Sequence, residues 1–87
     1  MRPDAKLCPR HIVETLSRYT QQGLETGGIL KAVLSNDLLQ TFLRADEDNM
    51  AALPHIMAYI YNELPGNSWG SPEKVAAFLE KTFQPFV

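Results

Sequence analysis

The sequence predicts a single small all-α domain, and three observations carry that prediction. Apolar residues recur at helical spacing along most of the chain, no stretch alternates apolar and polar residues for long enough to make a strand, and Gly, Pro and Asn cut the chain into short segments with brief connections. Its 87 residues suffice for one domain and not for two. The expected organisation is a flexible arm over residues 1–8 and a helical domain over 9–87, built from about five short helices with the fourth central.

The first helix follows Pro9. Ile12, Val13, Leu16 and Tyr19 fall on one stripe, and Gly23 supplies the left-handed residue that closes it. Thr26-Gly27-Gly28 marks a turn, and the second helix runs from about Gly28 to Ser35 with Ile29, Leu30, Val33 and Leu34 apolar. It falls short of the ~12–15 residues a lone helix needs, so packing must hold it. Ser35, Asn36 or Asp37 caps the third helix, whose expected buried stripe is Leu38, Leu39, Phe42 and Leu43. A single kinked helix over both segments is the alternative.

Asp46-Glu47-Asp48-Asn49 opens the fourth helix, with carboxylates where the macrodipole favours them. Leu53, Ile56, Met57, Ile60 and Leu64 give the cleanest apolar period in the chain. Pro54 interrupts it and predicts a kink or a fresh start near Met50–Leu53. Pro65-Gly66 reads as a reversal with Gly at positive φ. Ser71-Pro72-Glu73 then reads as the cap and first turn of a fifth helix, with Val75, Phe78, Leu79 and Phe83 inward and Pro85 as its stop, followed by Phe86-Val87.

Composition narrows the function classes. The net charge of −2, with basic residues scattered, disfavours a nucleic-acid partner, which wants a clustered basic face. A lone cysteine, Cys8, has no intramolecular disulfide partner. With no apolar leader and no run near the ~20 residues a membrane span needs, a cytoplasmic protein without membrane contact is expected.

No constellation reads as catalytic. Cys8, His11 and Glu14 have helical spacing, but no oxyanion motif or third partner accompanies them. His11 and His55 lack paired ligand spacing. A calcium loop starting at Asp46 would place Ala51 and Met57 where Gly and a bidentate Glu belong. The second and third helices could be cast as a helix-turn-helix with Gln40, Thr41 and Arg44 reading DNA, yet three acids follow closely and would repel phosphate. Tyr59, Tyr61 and Trp69 are aromatic area beyond the main stripes, and such residues serve partner surfaces as readily as cores. Trp69 is open to both readings.

Gly28-Ile29-Leu30-Lys31-Ala32-Val33-Leu34-Ser35-Asn36-Asp37-Leu38, Arg44-Ala45-Asp46-Glu47-Asp48-Asn49, Tyr61-Asn62-Glu63-Leu64-Pro65 and Trp69-Gly70-Ser71-Pro72-Glu73 together resemble a group of short, functionally uncharacterised proteins of bacteriophages, prophages and other mobile elements. The resemblance spans most of residues 10–80 and implies a phage or mobile-element setting without a reaction. It draws attention to Asn36, Asp37, Asp46, Asn49, Asn62 and Ser71, all at helix ends.

The functional expectation is a non-enzymatic accessory protein, without cofactor or metal, that binds a host or phage protein, alone or as a homo-oligomer. Tyr59, Tyr61 and Trp69 are the expected anchors, with Asn36, Asp37, Asp46, Asn49, Asn62 and Asn67 as the polar set. The alternatives are a binder of a nucleotide signal of host defence and a DNA-binding regulator.

Overall fold

A computed structural model describes residues 4–83, with side chains to residue 80. Five α-helices fill this stretch: α1 (Arg10–Gln22), α2 (Gly28–Leu34), α3 (Leu38–Arg44), α4 (Glu47–Glu63) and α5 (Pro72–Phe83). Two short 3₁₀ turns, Ala5–Leu7 and Gly66–Ser68, precede α1 and α5. The fold is therefore all-α, as the periodicity predicts, and no strand occurs among the described residues. The tail at Pro85, Phe86 and Val87 and the inward side chain predicted at Phe83 lie outside what is described.

Local chemistry explains most boundaries. Gly23 adopts φ +70° and closes α1, with the Leu24 amide reaching back to the Arg18 carbonyl. Helices α2 and α3 are separate, because Asn36 takes φ +58° and completes a Schellman turn: its amide donates to Val33 O, and the Asp37 amide to Ala32 O. Asn tolerates this left-handed conformation better than most side chains. Asp37 caps α3 by accepting from the Gln40 amide, and Asp46 caps α4 by accepting from the Asn49 amide. Ser71 Oγ accepts from the Lys74 amide at 3.1 Å, so Ser71→Ala is expected to lower stability by about 0.5–2 kcal/mol in urea unfolding.

Two breaks need restating. Of the kink or fresh start expected near Met50–Leu53, the fresh start does not occur: Pro54 lies inside α4, which continues through it, because the rest of the ladder and packing on the core outweigh one absent hydrogen bond. The reversal after α4 is a 3₁₀ turn closed by the Ser68 amide on Pro65 O, and the positive φ of this loop sits at Gly70, not Gly66.

The N-terminal arm also needs correcting over residues 4–8. Asp4 accepts from the Lys6 amide and starts a 3₁₀ turn that packs on α4. The Asp4 amide donates to His55 Nδ1 at 3.1 Å, and Cys8 is buried in the core. Burial of Cys8, the bond to His55 and the contacts of Ala5–Leu7 with α4 together offset the entropy of ordering the segment.

The core joins Ile12, Leu16 and Tyr19 of α1, Leu30 and Leu34 of α2, Ile56 and Ile60 of α4, and Val75 and Phe78 of α5. These are the predicted stripes of α1, α2 and α5. On α4 the core-facing arc is Ala52, Ile56, Tyr59 and Ile60, rotated by less than one ~100° residue step from the predicted stripe. The molecule is 19 Å across its shortest axis, about two helix diameters, so each helix keeps an outer face.

Burial holds two core groups neutral. Desolvation pushes the Cys8 thiol from 9.0 up to about 11 and the Tyr19 phenol from 10.0 up to about 12. Both folded values exceed the unfolded ones, so their contribution is complete below about pH 9 and is lost progressively as pH climbs towards 11–12. Thermal melting should shift downwards between pH 8 and pH 10.5, and Cys8→Ala should remove the earlier part of that shift. A melting temperature constant across the range would contradict the assignment.

Candidate functional site

The third helix departs furthest from expectation. Leu38, Leu39, Phe42 and Leu43, predicted to be buried, are 80%, 65%, 63% and 63% exposed. At helical spacing these four share one arc, while Gln40, Thr41 and Arg44 take the opposite one. Of the polar arc, Thr41 is buried, with its hydroxyl donating to Asp37 O at 2.7 Å, whereas Gln40 is half-buried and Arg44 exposed. A Schellman turn precedes α3, and the Ala45-Asp46 link joins it to α4.

Helix α4 continues the apolar outer surface. Met50, Leu53, Pro54, Met57, Ala58 and Tyr61 line an open groove of about 640 Å³, with hardly any polar surface. Met57 is 54% and Tyr61 73% exposed. Helix α4 is therefore apolar on two arcs, the pattern of a helix covered on both sides.

The predicted anchors divide. Tyr61 stands on the groove wall, with its ring 6.0 Å from that of Trp69 in an edge-on contact. Trp69 is partly buried against the core, and its Nε1–H is buried with no hydrogen-bond acceptor among the described residues. It thus acts as a plug that also braces Tyr61. Tyr59, expected as a contact residue, packs partly buried on the core because it lies on the inner arc of α4.

The polar set does not assemble around these aromatics. Asp37 and Asp46 are occupied as caps, and Asn36 forms the left-handed turn. Asn62 and Asn67 are exposed, and Asn49 donates its amide to the Asp46 cap. Of the set, Asp37 lines a separate polar cleft of about 490 Å³, with Gly28, Lys31, Ser35, Gln40 and Arg44. There Lys31 Nζ lies 3.7 Å from Glu25, an exposed pair worth little, and Arg44 Nε donates to Gln40 Oε1 at 3.3 Å.

Other candidate chemistry is accounted for structurally. Cys8 is buried with a raised pKa, the opposite of an activated thiolate. Among the described residues no group of three or more His, Cys, Asp or Glu could hold a metal ion, and no helix is long and apolar enough to cross a membrane. Buried Thr41 is not placed to read a base. Sequence reasoning missed the outer surface because an apolar stripe does not say what it faces. The available signal was α4 itself, with Met50, Pro54, Met57 and Tyr61 opposite Ala52, Ile56 and Tyr59.

Fold and surface together define a small all-α domain with a hydrophobic core and uncovered apolar side chains on α3 and α4. No protein-family profile, curated protein or solved structure matches this chain.

Proposed function

We propose that this chain is a non-enzymatic accessory protein of a bacteriophage or mobile element that works by binding another protein through the outer faces of α3 and α4. The observation that carries the reading is the exposure of Leu38, Leu39, Phe42 and Leu43 together on one arc of α3. Exposed apolar surface of this extent marks interaction sites in soluble proteins. Tyr61 adds an aromatic group with a polar handle at the edge of the groove, the residue type that dominates binding energy. The phage setting rests on the sequence resemblance alone.

Photocrosslinking tests this directly. A benzophenone side chain at position 42, introduced in bacterial cells, should give a protein adduct, and one at exposed Glu14 on α1 should give none or far less. Absence of any adduct from position 42 would overturn the reading.

A second reading, binding of a small anionic ligand such as a nucleotide, draws on the polar cleft that Lys31 and Arg44 share. A ligand at 100 times its Kd should stabilise the fold by ~2.7 kcal/mol. A melting screen across nucleotides without a shift would remove it.

A further inference from the structure

Two apolar surfaces are left uncovered. Helix α3 presents a row of four aliphatic and aromatic side chains, Leu38, Leu39, Phe42 and Leu43. Helix α4 presents an open, shallow apolar groove of about 640 Å³ along its side chains from Met50 to Tyr61. Within one chain the two do not meet, since the α3 side chains stay 63–80% exposed while the groove stands open.

Resting on the protein-binding reading above, we infer that the occupant is a second copy of this chain, with α3 of each copy seated in the α4 groove of the other. The exchange is self-complementary, so it closes at two copies rather than running on into a filament. Area supports it. With roughly 200 Å² for each such side chain in the open, Leu38, Leu39, Phe42, Leu43, Met57 and Tyr61 leave on the order of 800 Å² per copy. That is comparable to what one partner gives a standard specific interface.

Composition supports a permanent partner over a transient one. Permanent homodimer interfaces are richer in apolar area and poorer in charge than surfaces that also live exposed. The side chains that line the α4 groove include none that is charged, with exposed Glu47 standing one turn before Met50 at its end. A surface this apolar needs covering as soon as the chain folds, and another copy of the chain is present whenever the chain is made.

Light scattering on the purified full chain, across a micromolar dilution series, should give twice the 9.8 kDa chain mass. Phe42→Lys on α3 and Met57→Glu in the groove should each weaken self-association at least about 30-fold, the effect of losing a hot spot. Both positions are exposed in the single chain, so helical circular dichroism should be kept. Phe42→Ala and Met57→Ala, which add no charge, should move the equilibrium in the same direction by less. Mixed one to one, Phe42→Lys and Met57→Glu should form a heterodimer, because one α3–groove pair stays intact and the other gains a Lys–Glu pair.

A wild-type chain that stays monomeric overturns the inference. If position 42 then still crosslinks to a different protein, the broader reading survives without it. A dimer indifferent to Met57→Glu would mean α3 meets α3, and open-ended oligomers would mean the exchange is not reciprocal. Either result also overturns the inference.

Discussion

Leu16→Ala is expected to destabilise the chain by about 2–5 kcal/mol, measured as a lowered urea midpoint with an unchanged slope. Leu16 is 0% exposed at the middle of α1, among Ile12, Tyr19 and the inward residues of three other helices. Removing its isobutyl group loses transfer free energy and leaves a cavity that tightly packed neighbours fill only in part. Against a total of about 5–15 kcal/mol for an ordinary domain, such a loss brings the fold close to its threshold. The deficit should persist at every protein concentration, whereas that of Phe42→Ala should vary with concentration, as linkage to self-association requires. A loss below ~1 kcal/mol would mean that α1 does not organise the core.

Tyr19→Phe should cost about 1–3 kcal/mol, although the phenol oxygen is all it removes. The Tyr19 hydroxyl is buried and donates to the Ser68 carbonyl at 2.6 Å. Without it the carbonyl loses its donor in a place water does not reach, while the ring keeps its contact with Phe78 at 5.2 Å. The Ser68 hydroxyl donates to Pro65 O at 2.6 Å, and the Gly70 amide to Leu34 O at 2.7 Å. These bonds latch the loop between α4 and α5 onto α1 and α2, and that loop carries Trp69, which braces Tyr61 on the groove. Hydrogen exchange at the Gly70 amide should therefore quicken in Tyr19→Phe. Unchanged stability and exchange would show that the loop is held by something else.

Much of the fold was legible from residue order because its signals are local. The caps at Asp37, Asp46 and Ser71 and the left-handed residue Gly23 act within a turn or two of chain, whereas Asn36, a cap candidate by sequence, is the left-handed residue that ends α2. The inward stripes of α1 and α5 were readable because each helix has one apolar face and so one way to sit. The candidate site was largely illegible. Tyr61 was identified as exposed aromatic surface, but Tyr59, two residues away, went to the core, because α4 carries apolar residues on two arcs.

The polar residues singled out at helix ends proved to be structural for the same local reason. A side chain that satisfies its own helix terminus has little capacity left for a ligand, as Asp37 and Asp46 illustrate.

The sequence by itself determined the all-α class, the helix termini and the inward faces of α1, α2 and α5, since spacing and capping chemistry act over a few residues. Only the tertiary structure decided which way α3 faces, which of two apolar arcs of α4 meets the core, and that the segment from Asp4 to Cys8 docks. Each of those outcomes depends on how a whole helix is rotated and where its neighbours lie. An apolar stripe specifies that something must cover it, and the arrangement of the other helices decides whether the same chain does so.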